Sequence, residues 1–201
     1  MIVAMEESQT PKETKYRFAI LTVYLVTALV NSLPNNTFSG MNSVVEALFN
    51  ISAVEVTLNT LLFPIVHVIL AYPCNWIINR YGIRISYFIG GGLVVGGAWL
   101  RTFLAEGNPY ICLLGSLTAA TGSIFILNTA MKLIFNWFCS EMVPLITFAC
   151  VVANLLSLSL GLIISGLIID SNSTKEDVLN FLRVEAAVIT IPFILLLVFI
   201  K

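Results

Sequence analysis

Asparagine and serine interrupt the apolar background of this chain at helical spacing. Asn31 and Asn35 are four residues apart, as are Asn128 and Lys132, and Asn154, Ser157, Gly161 and Ser165 recur at intervals of three and four. On a helix these intervals put each group on one face. Amides and hydroxyls donate and accept hydrogen bonds without carrying charge, which is the chemistry a small polar solute needs at membrane depth. The same stripes also suit interhelical hydrogen bonding and close packing, at roughly 0.6–2 kcal/mol per contact. Both uses stay open, and the candidate substrate-binding residues are Asn31, Asn35, Asn128, Asn154 and Ser157. Lys132 falls near a helix end, where it can snorkel to the interface as an anchor.

His67 is the single histidine. No acidic residue near it in its helix completes a proton relay, so a neutral, hydrogen-bonded ring is expected. Cys74, Cys112, Cys139 and Cys150 stand singly with no C-x-x-C, a pattern that fits neither a disulfide framework nor a metal site. No G-x-S-x-G, H-E-x-x-H, Walker loop or G-x-G-x-x-G occurs. Catalysis is not expected, and no catalytic residue, metal or cofactor is assigned.

The elements that position these residues follow from composition. Of 201 residues, 58% are hydrophobic and 10% charged, and the mean hydropathy is +0.96, which marks an integral membrane protein. A net charge of −1 excludes a basic field for nucleic acid. About 20 mostly apolar residues cross the hydrocarbon. That template fits six times, at 17–38, 54–78, 84–104, 110–134, 143–169 and 179–200, behind a polar tail at 1–16. The opening is too polar for a cleavable signal peptide. Pro34, Pro64, Pro73 and Pro192 lie inside spans, so kinked helices are expected. Gly92 and Gly96 make a G-x-x-x-G close-packing face on span 3, against a helix of this chain or of another. Arg183 and Glu185 open span 6, where an interfacial pairing suffices.

With the N-terminus cytosolic-equivalent, Lys12, Lys15, Arg17, Arg80, Arg84, Lys132 and Lys201 fall on the inner side and Arg101, Lys175 and Arg183 on the outer. This asymmetry puts both termini inside by the positive-inside rule. The glycosylation triplets Asn50-Ile51-Ser52 and Asn172-Ser173-Thr174 then face outward. Which membrane holds the chain is not legible.

Asn79-Arg80-Tyr81-Gly82-Ile83-Arg84 joins spans 2 and 3. Gly82 permits the positive φ of a tight turn, Arg80 can meet the negative C-terminal end of span 2, and Arg84 can reach headgroups or an acidic partner. A short positive-inside loop accounts for these residues. The loop also resembles G-x-x-x-D-R-x-G-R-R of the major facilitator superfamily, at Asn79, Arg80, Gly82 and Arg84. Six spans with this loop between the second and third resemble that family's N-terminal six-helix half, which implies an all-α membrane bundle built as a 3+3 inverted repeat.

Closer similarity is to the heme/choline-transporter-like branch, the feline leukaemia virus subgroup C receptor-related proteins. It is carried by LVNS (29–32), YPCNWIINRYGIR (72–84), GAWLR (97–101), IFIL (124–127) and NWF (136–138), in the same order. Departures are equally visible. Asn79 replaces the loop acid, which should weaken the charge interaction that acid makes at the inner gate. The branch pattern implies a Trp soon after LVN to pack on a cationic substrate, where this chain reads LVNSLPNN. A Gln expected beside Asn154 is Leu155, and the sequence contains no second six-helix half.

The resemblance implies a half-transporter or fragment that moves a small organic solute by alternating access, with a second six-helix half, a homodimer partner or a larger complex completing it. The departures support an alternative, a transport-inactive, transporter-derived structural subunit of a larger membrane complex. Fold alone does not decide between them.

Overall fold

The computed structural model describes residues 22, 26, 27, 29–106, 109–170 and 172–199, so the tail at 1–16 and positions 17–21, 23–25 and 28 of the first expected span lie outside the described residues. Secondary structure among the described residues is wholly helical. The first span arrives as helix at 29–32 and breaks into a 3-10 turn at Leu33–Asn35. Pro34 sets the break, because it has no N–H for the helical ladder and its ring clashes with the preceding turn.

Two short helices follow, α1 (Thr37–Gly40) and α2 (Asn42–Phe49). The hydropathy template has no place for them, since both are too short to span. What stabilises α2 is docking, through Val45, which is buried in a cluster with Val56, Leu104, Val178 and Leu182.

Five long helices complete the chain. They are α3 (Ala53–Tyr81), α4 (Ile83–Arg101, continued by a 3-10 turn at Thr102–Glu106), α5 (Pro109–Trp137), α6 (Val143–Ile168) and α7 (Lys175–Phe199). Their boundaries lie within a few residues of the expected spans 2 to 6. Among the described residues, Ala53–Tyr81, Ile83–Leu104, Tyr110–Asn136 and Val143–Ile168 are long and apolar enough to cross a membrane.

Two of these starts carry the same local device. The Ser52 hydroxyl accepts from the Glu55 N–H while the Glu55 carboxylate accepts from the Ser52 N–H, a capping box opening α3. Thr174 and Asp177 repeat the exchange at α7. At the other end of α3, Gly82 has φ 88° and its N–H donates to the Ile78 carbonyl, as a glycine stop should.

The tightest packing joins α4 to α5 along a glycine seam. A Cβ placed on Gly122 would lie 2.5 Å from the Gly90 carbonyl oxygen, and one on Gly97 would lie 2.5 Å from the Gly115 carbonyl oxygen. The two backbones are therefore in direct contact, a mode that suits lipid, where small residues allow dispersion contact over a long interface. By contrast, a Cβ on Gly92 or Gly96 meets nothing within 4 Å among the described residues. The G-x-x-x-G pair accordingly stands on an open face, and Gly90 and Gly97 make the intrachain contact. Next, α3 packs on α5 through Phe63, Val66, Ala120 and Ile124, and α7 closes on α4 and α5 through Ile189, Val94 and Ile126. Finally, α6 lies along the broken first span, where Gly161 receives the Leu33 backbone and Gly40 sits against Ser165.

Candidate functional site

A cavity of about 340 Å³ opens where the first-span turn, α3, α5 and α6 converge. Its polar lining is Asn35, Asn36, Thr60, His67 and Ser123, set against Phe63, Leu127 and Leu158. The contributing positions follow helical spacing: 60, 64 and 67 on α3, and 120, 123 and 127 on α5. The lining has no acidic residue, lysine or arginine. The site is thus a set of amide, hydroxyl and imidazole groups inside an apolar frame, suited to holding a polar solute by hydrogen bonds.

Asn35 and Thr60 line the cavity as half-buried residues, and Asn35 Oδ1 and Thr60 Oγ1 are buried atoms with no hydrogen-bond partner among the described residues. Asn36 Nδ2 donates to the Leu158 carbonyl at 3.4 Å, tying the turn to α6. Asn31 is buried one turn earlier, and its Oδ1 accepts from Ser123 Oγ at 3.4 Å. Asn31 also borders a separate apolar crevice beside Tyr87 and Phe193, so it reaches the cavity through Ser123.

Asn128 is half-buried next to Leu127, and its Nδ2 has no partner among the described residues. Asn154 is half-buried one turn before Leu158. Ser157 is fully buried, with its hydroxyl donating to the Leu29 carbonyl, while Ser165 bonds within its own helix to the Gly161 carbonyl at 2.8 Å. The α6 stripe therefore makes the seam against the first span, and the cavity wall on that side is Leu158.

Thr60, Asn36, Ser123 and His67 are absent from the sequence-derived candidates. Ser123 and Thr60 were legible in principle as polar members of the apolar faces of spans 4 and 2. His67 was noticed, but no spacing rule assigned it neighbours from other helices.

At the 79–84 end, Lys132 Nζ donates to Asn79 Oδ1 at 2.9 Å and to the Ile78 carbonyl at 3.2 Å. An ammonium thus meets the carbonyl end of α3, and Asn79 keeps a contact with a cation as a neutral acceptor. Arg80 lies in the last turn of α3 with its guanidinium 5.6 Å from the Trp76 ring centroid. Arg84 is exposed at the start of α4.

The interfacial pairing expected of Arg183 and Glu185 is not formed. Residues two apart on a helix face different ways. Arg183 Nη1 donates to Asn180 Oδ1 at 3.2 Å, while Glu185 turns inward, where its carboxylate accepts from Thr37 Oγ1 and lies 3.8 Å from Arg101 Nη1. Arg101 is 1% exposed, with its guanidinium carbon 4.6 Å from the Phe38 ring centroid. The sequence counts Arg101 among the outer-side charges, and its inward contacts were not legible there. Beyond Glu185, a wider groove of about 690 Å³ runs between α6 and α7, walled by Ile164, Ile168, Val184 and Val188.

No protein-family model matches the chain. It is similar to the choline/ethanolamine transporter FLVCR1 of Felis catus, with 22% identity over 164 residues, 81% of this chain and 29% of the relative. Similarity to the choline/ethanolamine transporter flvcr2b of Danio rerio is 21% over 204 residues, 98% of this chain and 42% of the relative. An uncharacterized MFS-type transporter of Caenorhabditis elegans is 21% identical over 202 residues, 98% of this chain and 34% of the relative. The chain thus spans 29% to 42% of the length of these relatives. Four helices among the described residues are long and apolar enough to cross a bilayer, which supports an integral membrane protein.

Proposed function

We propose that the chain forms one six-helix half of a major-facilitator-like transporter and carries half of a solute site on the face shared by the first span, α3, α5 and α6. The observation that supports this is the polar cavity holding Asn35, Asn36, Thr60, His67 and Ser123. A lipid-facing surface has no use for a convergent set of amide and hydroxyl groups, whereas a path for solute does.

In this reading a second six-helix half, from a longer chain or a second copy, closes over the cavity. The two halves then rock about the solute in alternating access. Both termini sit on the cytosolic-equivalent side, and the Lys132–Asn79 contact lies at the inner gate. Asn31, Asn128 and Asn154 border the path, and Ser157 holds the first span in place. The solute is a small polar organic molecule, and choline and ethanolamine are the first to test, being named for the relatives.

The test is uptake of radiolabelled choline and ethanolamine into proteoliposomes made from protein purified with its co-purifying partners. Substitution of Asn35 or Ser123 lowers uptake, and cavity substitutions without effect on any transported solute would overturn the reading. Native mass spectrometry of the same preparation shows two six-helix units in each particle.

A further inference from the structure

We infer that Glu185, held by Arg101, is a positioning residue for the solute site: it clamps the turn that presents Asn35 and Asn36 to the cavity, without touching solute. This rests on the reading of that cavity as the solute site.

The turn is an unusual thing to hold in place. Leu33–Asn35 is a single 3-10 turn broken by Pro34, with no side-chain cap at its N-terminus. Short 3-10 pieces have poor hydrogen-bond geometry and little stability of their own. On one side the turn leans on α6, where Leu33 backbone meets Gly161 and Asn36 bonds to the Leu158 carbonyl. The other side is held at the two residues that follow Asn36. Thr37 is fully buried, and its hydroxyl lies within hydrogen-bonding reach of the Leu33 carbonyl, at 3.1 Å, and of Glu185 Oε1. A hydroxyl has one proton to donate, and a carboxylate is the stronger acceptor. Phe38, the next residue, lies under the Arg101 guanidinium.

Arg101 and Glu185 therefore grip adjacent residues of α1 from α4 and α7. Arg101 has no hydrogen bond among the described residues to explain its burial otherwise, so its attachments there are the carboxylate and the ring. A buried ion pair is poor evidence for stability, but it is well suited to fixing geometry. The pair reaches the site by a short path: Arg101 to Glu185, Glu185 to Thr37, and Thr37 through one peptide to Asn36.

The test separates position from stability. Arg101→Met/Glu185→Gln and Arg101→Met/Glu185→Leu both remove the buried charges, and they differ only in whether residue 185 can accept from Thr37. Each is combined with Asn35→Cys and treated in proteoliposomes with a small polar maleimide. Peptide mass spectrometry then reads labelling at position 35 and at native, exposed Cys139 at the opposite end of the bundle. The Gln form labels at position 35 within about twofold of the protein with the pair intact, and the Leu form about tenfold faster, as a turn released by one lost hydrogen bond would. Cys139 labels equally in all. Equal labelling of the Gln and Leu forms at position 35, or a change at Cys139 in step with it, overturns the clamp. The readout needs no transport, so a labelling difference without any effect of Asn35 on uptake keeps the clamp and rejects the solute-site reading.

Discussion

Replacing Gly122 by alanine should be among the most damaging conservative changes in the chain. An added Cβ would stand 2.5 Å from the Gly90 carbonyl oxygen, 2.7 Å from the Val94 nitrogen and 2.7 Å from Val94 Cγ2. Two of the three are backbone atoms, so no rotamer change relieves them, and α4 and α5 must separate by about 1 Å to restore ordinary contact. Overpacking typically costs about 1–3 kcal/mol, and a backbone-on-backbone clash belongs at the upper end. Alanine returns about 1 kcal/mol of helix propensity over glycine. The net loss is about 2 kcal/mol. Gly92→Ala is the internal control, since its Cβ meets nothing within 4 Å among the described residues, and it should be neutral or stabilising by up to about 1 kcal/mol. Reversible unfolding in mixed micelles with increasing dodecyl sulfate, followed by far-UV circular dichroism, gives both values. Gly122→Ala as stable as the parent, or Gly92→Ala the more damaging of the two, would refute the assignment of the seam to Gly90, Gly97, Gly115 and Gly122.

Three further outcomes are expected. Asn59 is buried, accepts from Ser116 Oγ at 2.7 Å and donates to the Glu55 carbonyl at 3.0 Å; Asn59→Leu should cost about 1–3 kcal/mol in the same unfolding assay, with part of the loss recovered by adding Ser116→Ala. Asn79→Asp should turn the contact with Lys132 into an ion pair worth no more than about 1 kcal/mol at this exposed position, a gain that disappears in a Lys132→Met background when the double-mutant cycle is measured. The hydrogen bonds from Thr174 hold the Asp177 carboxyl below the ordinary aspartate value. Because the folded-state value is depressed, its capping contribution is present above the unfolded value and is lost as pH falls through the folded one. The stability difference between the parent and Asp177→Asn should therefore vanish at strongly acidic pH, measured as unfolding midpoints across a pH series.

The five long helices were legible because apolar length is a local property of the sequence, four of them being, among the described residues, long and apolar enough to cross a membrane, and the capping pairs Ser52–Glu55 and Thr174–Asp177 sharpen two of their starts. Broken order was harder to see. Pro34 announced an interruption in span 1, but α1 and α2 form by docking on α6 and α7, and no hydropathy window carries that information. The cavity was half legible. Asn35 came from spacing on its own helix, whereas Ser123, Thr60 and His67 join it only when three other helices converge. The burial of Arg101 was not legible for a related reason: a charge that ends an apolar run is ambiguous until its partner is known, and Glu185 lies 84 residues away in sequence. G-x-x-x-G left its partner helix open, and Gly90 and Gly97, on another face from Gly92 and Gly96, make the contact with α5.

The most direct test of the account is solute uptake by the parent protein, by Asn35→Leu and by Leu155→Ala, in matched proteoliposomes. Leu155 is 58% exposed on α6 and does not line the cavity, so its truncation should leave uptake unchanged. Asn35→Leu removes an amide from the cavity and should lower uptake of the transported solute about tenfold, the effect of one lost hydrogen bond in a water-poor site. Equal uptake by all three proteins would contradict the claim that the polar face of this half carries solute.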